Sequence, residues 1–177
     1  MKLLSMNNNA KITSFLFALF LVILVAMPPQ AQAAALTDTY ENSLVDWLMR
    51  GQTLTPPATG YIALFTTCPT DSAAGTEATG GSYARVAVAA SLTNWAGTQA
   101  AASTTASSGT NGTTSNNTVI TFPTATADWG TVNCFGYMSA ASGGTLIFYG
   151  ALTASRSITS GSTASFAISA LTFQMDN

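Results

Sequence analysis

The sequence predicts an all-β fold: an antiparallel, jelly-roll-like sandwich of about seven or eight strands with one N-terminal α-helix. Three observations predict it. From Thr118 to Met175, short runs of Val, Ile, Phe, Tyr and Thr alternate with Gly/Ser/Thr/Ala turns, the pattern of consecutive antiparallel strands. The turn signals recur at the spacing of a sandwich. Hydrophobic residues make up 47% of the 177 and charged ones only 7%, against about 25% charged in an ordinary soluble domain. The surface is therefore built from Ser, Thr, Asn, Gln, Gly and Ala.

Residues 1–33 read as a secretory signal peptide. Lys2 and Lys11 bracket a polar stretch, Ile12 to Met27 is almost wholly apolar, and Pro28-Pro29 ends the run before Ala31-Gln32-Ala33. Cleavage is expected between Ala33 and Ala34, with Ala35 as the competing site. The apolar run falls short of the ~20 residues that span a bilayer comfortably. The remainder, 34–177, is expected to be a single domain, secreted to the cell surface or beyond and free of the membrane after cleavage. It keeps three arginines against seven carboxylates, with no Lys and no His. Three scattered arginines exclude nucleic-acid binding, which needs clustered cations. A weakly charged surface permits copies to associate.

Asp38 is expected to open a helix over 38–50, with Glu41 at capping-box spacing and Gly51 just past its end. Tyr40, Leu44, Trp47 and Leu48 share one face of it. Two readings of that face stand: packing on the domain's own sheet, or contact with a neighbouring subunit. After Thr55-Pro56-Pro57, the run GYIALFTT is a strand apolar on both faces, hence central. The run SYARVAVAASLTNW reads as the next strand. Residues 96–117 are uncharged, low in complexity and poor in large apolar groups, so a flexible surface loop is expected. It carries Asn-Gly-Thr and Asn-Asn-Thr sequons, which matter only in a host that glycosylates them. VITF, TVNCFGYMSA, TLIFYGAL after a Gly143-Gly144 turn, RSIT, TASFAIS and the Leu171–Met175 alternation supply the remaining strands.

No catalytic constellation is legible. General acid–base and nucleophilic catalysis need a base beside the nucleophile, and Asp71, Glu77 and Asp128 lie in separate loops. Two cysteines without histidine fall short of a zinc site; calcium held by loop carboxylates and carbonyls stays open. No cofactor is expected. Cys68 and Cys134 in an exported chain read economically as one disulfide, the alternative being two free buried thiols. Trp47, Trp95 and Trp129 are read as completing the core, with sugar stacking as the rival.

With the strands laid out, GYIALFTTCPTDSAAGTEATGGSYARVAV, ITFPTATADWGTV, ASGGTLIFYGAL and the helical ENSLVDWLMRGQTLTPPAT resemble the small tail-fibre-like structural proteins of tailed phages. The resemblance covers nearly all of Leu36 to Asp176. It implies an all-β virion component that assembles with its own copies or with a capsid or tail, and it brings no catalytic residues. Virion proteins assemble in the cytoplasm, so the leader departs from the pattern. It points to a phage-type β-subunit used as an extracellular homopolymer. Candidate subunit contacts are Tyr40, Leu44, Trp47 and Leu48 on the helix and Leu171, Phe173 and Met175 in the last strand. The last strand is the candidate for addition to a neighbour's sheet. A receptor- or glycan-binding virion protein is the alternative, with a cell-surface glycan as its partner.

Overall fold

A computed structural model describes residues 34–97 and 112–175. The expected leader, Ala33 of the cleavage pair, and residues 98–111 of the expected loop lie outside the described residues. The elements run β1 (Ala35–Leu36), α1 (Asp38–Met49), β2 (Thr59–Thr67), β3 (Thr76–Glu77), β4 (Val86–Ala89), β5 (Thr113–Ser115), β6 (Ile120–Thr121), β7 (Gly130–Met138), β8 (Leu146–Ile158), β9 (Ser165–Phe166) and β10 (Thr172–Gln174).

The architecture is an all-β sandwich with one helix. Its main layer is a sheet ordered β1-β8-β7-β2-β3, with β4 also paired to β2. Every strand pair in it is antiparallel. Two short ribbons, β10-β5 and β6-β9, supply the opposing layer. Ile62 and Leu64 of β2, Val132 and Phe135 of β7, and Leu152 and Ile158 of β8 pack in one core with Ile120, Phe166, Leu171 and Phe173 from the ribbon side. Ala63, Phe65, Cys134 and Met138 form a smaller cluster. Strand β2 is therefore buried on both faces, as its unbroken apolar run predicts.

An aromatic chain joins the layers. Tyr83 and Trp129 lie edge to face, ring centres 5.1 Å apart, and Trp129 leads through Phe122 and Phe166 to Phe135. Phe135 meets Phe173 at 5.7 Å, and Phe173 also contacts Trp95, Tyr137 and Phe148. Such pairs are worth about 0.5–1.5 kcal/mol each beyond burial.

Several boundaries differ from expectation for physical reasons. The runs TLIFYGAL and RSIT are one strand, β8. Its register against β7 jumps: Cys134 faces Ala151 but Val132 faces Arg156, so β8 carries three extra residues in this stretch without ending, and Leu152 there still enters the core. Asn133 holds the irregularity, accepting from Ser155 Oγ (2.6 Å) and donating to the Thr66 carbonyl (2.5 Å). Tyr83 and Arg85 precede β4 rather than belonging to it, because their side chains turn to Glu77. The Gly143-Gly144 turn forms as expected, both residues at positive φ (60° and 72°), where glycine is favoured.

The expected 96–117 loop ends earlier than its composition implies. Its last part carries β5, and Asn116, the first residue of the Asn-Asn-Thr sequon, is fully buried. The Asn116 amide donates to the carbonyls of Thr118 (2.8 Å) and Ala167 (2.7 Å) and accepts from the Leu171 N–H (2.8 Å). Its backbone N–H bonds the Leu171 carbonyl, and its carbonyl accepts from Ser169. A low-complexity segment can thus be pinned by one residue that satisfies every polar group it buries.

Replacing Asn116 with Ala removes the side-chain partner of the Leu171 N–H and of the Thr118 carbonyl, while the Ala167 carbonyl keeps the Ala170 N–H. A loss of about 3 kcal/mol is expected, read as a lower midpoint in urea unfolding, and no glycan is expected on Asn116 in a glycosylating host. Cys68 and Cys134 are disulfide-bonded across 66 residues, with Cα atoms 5.3 Å apart. Replacing both with Ser should lower stability by about 4 kcal/mol in the loop-entropy account, measured in the same way.

Candidate assembly surface

Helix α1 is tied to the sandwich at one end. Its N-cap is Thr37, not the expected Asp38. Thr37 is buried, its N–H bonds the Ile147 carbonyl (3.0 Å), and its hydroxyl donates to the Leu146 carbonyl (2.9 Å). The hydroxyl that would cap the helix thus anchors it to β8, while the Thr37 carbonyl accepts the first N–H groups, from Tyr40 and Glu41. Asp38 and Glu41 remain at the positive end of the dipole. At the other end Gly51, at φ 67°, lets the Gln52 N–H return to the Asp46 carbonyl. Arg50 pairs with Asp46 at 3.0 Å in solvent.

No residue of α1 is fully buried. Tyr40 and Leu44 are half-buried, whereas Val45, Trp47, Leu48 and Met49 stand 53%, 50%, 59% and 81% exposed. The apolar stripe read from the sequence is therefore split. Its first half covers the chain's own body; its second half is solvent-exposed. Single exposed leucines are ordinary, but four exposed large apolar side chains among the five residues 45–49 concentrate apolar surface at one helix end.

Beside the helix, two adjoining shallow apolar clefts of about 220 and 240 Å³ share Ala90, Tyr137, Phe148 and Met175 as walls. Trp95 and Phe173 close the first; Tyr40, Leu44, Leu54 and Pro57 line the second. The surrounding loops are clamped. Arg85 grips Glu77 with two bonds (2.8 and 2.7 Å) and the carbonyls of Ala140 and Gly143 (2.7 Å each). The Glu77 hydrogen bond raises the Arg85 pKa. Tyr83 donates to the same carboxylate at 2.9 Å, and burial pushes its hydroxyl well above the usual range. On the far side of α1, Tyr149 donates to Asp71 at 2.5 Å, which raises its hydroxyl pKa to about 12.

A helix-led apolar surface on a β-sandwich fits a structural subunit, and comparison with known families decides the matter of kinship. The model of the family described as Podophage GP4 fiber I protein gp80 matches residues 35–174. The chain belongs to that phage fibre family. None of the curated proteins compared with it matches. The sequence resemblance to phage tail-fibre-like proteins is thereby borne out.

Within this fibre family member, the sequence-chosen residues fall into three groups. Trp47, Leu48 and Met175 are exposed; Tyr40 and Leu44 line the cleft. Leu171 and Phe173 are buried in the chain's own core, 0% and 4% exposed, and β10 pairs with β5 of the same chain. Those two are corrected from candidate subunit contacts to core residues, because the Asn116 bonds and the aromatic chain hold them inside. Ala34 is buried too, its N–H bonded to the Thr172 carbonyl at 3.1 Å. Of the tryptophans, Trp95 and Trp129 serve the core as expected, and Trp47 does not. The three isolated carboxylates stay apart: Asp71 accepts from Tyr149, Glu77 from Arg85, and Asp128 from the Ser160 N–H. Among the described residues no group of three or more His, Cys, Asp or Glu side chains could hold a metal. Val45 and Met49 were missed because they lie off the stripe. Among the described residues nothing covers them at the helix end.

The Tyr149–Asp71 bond predicts a late titration. Because the folded-state pKa lies above the ordinary tyrosine value of 10, the stabilisation is complete below pH 10 and is lost as pH rises through about 12. Absorbance titration of tyrosinate should show Tyr149 among several late-ionising groups, with Tyr83 later still, and Asp71→Asn should move one of them back toward 10.

Proposed function

We propose that this phage-fibre-family protein is a non-enzymatic structural subunit that assembles with copies of itself into an extracellular filament, appendage or surface layer. The observation that carries the reading is the exposed apolar end of α1. Fully burying a large apolar side chain contributes roughly 1.5–3 kcal/mol, so covering the exposed halves of Trp47 and Leu48, with Val45 and Met49 beside them, favours association. The nearly uncharged surface adds little repulsion between copies. The leader-like 1–33 segment supports an extracellular setting.

The route by strand exchange is the less favoured one. Strand β10 is already paired, and its Phe173 is core. Strand β8 carries an irregularity in its register over 152–155 and the exposed Arg156, features that discourage edge-to-edge pairing. Contact through side-chain faces is left as the stronger route.

Electron microscopy and sedimentation of the secreted protein test the reading. Trp47→Glu with Leu48→Glu should abolish higher-mass species while leaving the unfolding midpoint within about 0.5 kcal/mol, since both side chains are surface groups. Wild-type protein that stays monomeric at high concentration would overturn it.

A further inference from the structure

We propose that thiol–disulfide exchange reaches the Cys68–Cys134 bond from the Cys68 side, so that Cys68 is the modification site for low-molecular-weight thiols and disulfides and Cys134 is its resolving thiol. The proposal stands apart from the self-assembly reading and uses none of its surfaces. The two halves of the bond sit in unlike surroundings. Cys68 is an exposed residue, the first after β2, at the start of the 68–75 loop. Cys134 is 1% exposed in β7, facing Phe65 of β2 on one side and Ala151 of β8 on the other. Its side chain packs in the small cluster of Ala63, Phe65 and Met138, with Tyr61 and Leu146 against it.

Exchange depends on which sulfur an attacking thiolate can reach. To attack Cys134, it would have to enter a cluster whose members are all buried; to attack Cys68, it meets the surface. A thiolate RS⁻ therefore forms its new S–S bond with Cys68 Sγ. The Cys68–Cys134 bond breaks, and its electron pair leaves on Cys134 Sγ, which takes a proton from solvent. The product is a mixed disulfide between Cys68 and R. In the oxidising direction, the Cys68 thiolate attacks a disulfide R–S–S–R and releases RS⁻. The Cys134 thiolate then attacks Cys68 Sγ, the second RS⁻ departs, and the donor disulfide ends as two thiols.

The fold favours reclosure. Pairing of Phe65 with Glu77 and of Thr67 with Thr76 holds the two ends of the loop together. The Thr66 hydroxyl donates to the Thr76 carbonyl at 3.3 Å, and Asp71 accepts from Tyr149 of β8 at 2.5 Å. None of these bonds involves sulfur, so they persist when the disulfide opens and keep Cys68 beside Cys134. Cys134 in turn has to depart as a thiolate inside an apolar cluster, which is costly. A bond with one accessible sulfur and a buried leaving group opens slowly and closes readily.

Glutathione serves as the probe. Cys134→Ala and Cys68→Ala each leave one thiol, and both are checked for native near-ultraviolet circular dichroism before reaction with oxidised glutathione. Cys134→Ala is expected to form its adduct about tenfold or more faster than Cys68→Ala, with the difference lost in urea. Equal rates in the folded proteins, a faster Cys68→Ala, or a difference that survives in urea overturns the proposal. Where either variant fails to fold, the wild-type protein decides. It is held folded in a glutathione redox buffer, raised in concentration until a single adduct is detected, and quenched with acid. Peptide mapping is expected to place glutathione on Cys68 and the free thiol on Cys134. Glutathione on Cys134, or shared evenly between the two, overturns the assignment.

Discussion

The contact between Phe135 and Phe173 is the constraint on which the sandwich depends. Phe135 sits near the middle of β7, in the main sheet; Phe173 belongs to a three-residue strand in a two-stranded ribbon. An isolated two-stranded ribbon is marginal in water, and here neither ribbon exceeds three paired residues. Their stability must come from docking. Phe173 contacts four other rings, and Phe166 performs the same service for the β6-β9 ribbon through Phe122 and Phe135. The aromatic chain thus replaces the long ladders that a larger second sheet would supply.

Docking by rings is apolar and weakly directional, so something else must fix the path of the chain. Asn116 does this on the β5-β10 side, where five hydrogen bonds tie one residue to the 167–171 turn and to Thr118. Arg85 does it on the β3 side, joining Glu77 to the 139–145 turn. The disulfide closes the remaining long excursion, from the end of β2 to β7. Each device sits where a strand ends early. Short strands leave backbone groups unpaired, and buried side-chain donors and acceptors complete them.

These devices explain what was legible in the sequence. The long strands were visible because β2, β7 and β8 carry sustained apolar runs, and the Gly143-Gly144 turn because only glycine tolerates two consecutive positive φ values easily. The helix stripe and its Gly51 stop were visible by period and punctuation. What could not be read were pairings that depend on distant side chains. Nothing local marks Asn116 off from the other asparagines of a Ser/Thr/Asn-rich stretch. The irregularity in β8 exists because Asn133 bridges Ser155 and Thr66, residues far apart in sequence. Thr37 looks like an ordinary residue before a helix until β8 provides carbonyls for its N–H and hydroxyl. The candidate surface was half legible: periodicity identifies which residues share a face, but it does not say how much of that face the body of the protein covers.

That last distinction bears directly on function. An apolar helix stripe fully covered by its own sheet would be stability and nothing more. Here the anchoring bonds of Thr37 lie at the N-terminal end of α1, and the helix extends from them with its apolar side chains progressively less covered, from half-buried Tyr40 and Leu44 to Met49 at 81% exposed. Nothing in folding of the single chain requires Trp47 or Leu48 to be apolar. Burial that folding does not supply must come from association if it comes at all, and a surface with so few charges cannot keep such a patch apart from its copies by repulsion. The weak charge and the exposed helix end, neutral with respect to the stability of one subunit, are the features that the proposed self-association draws on.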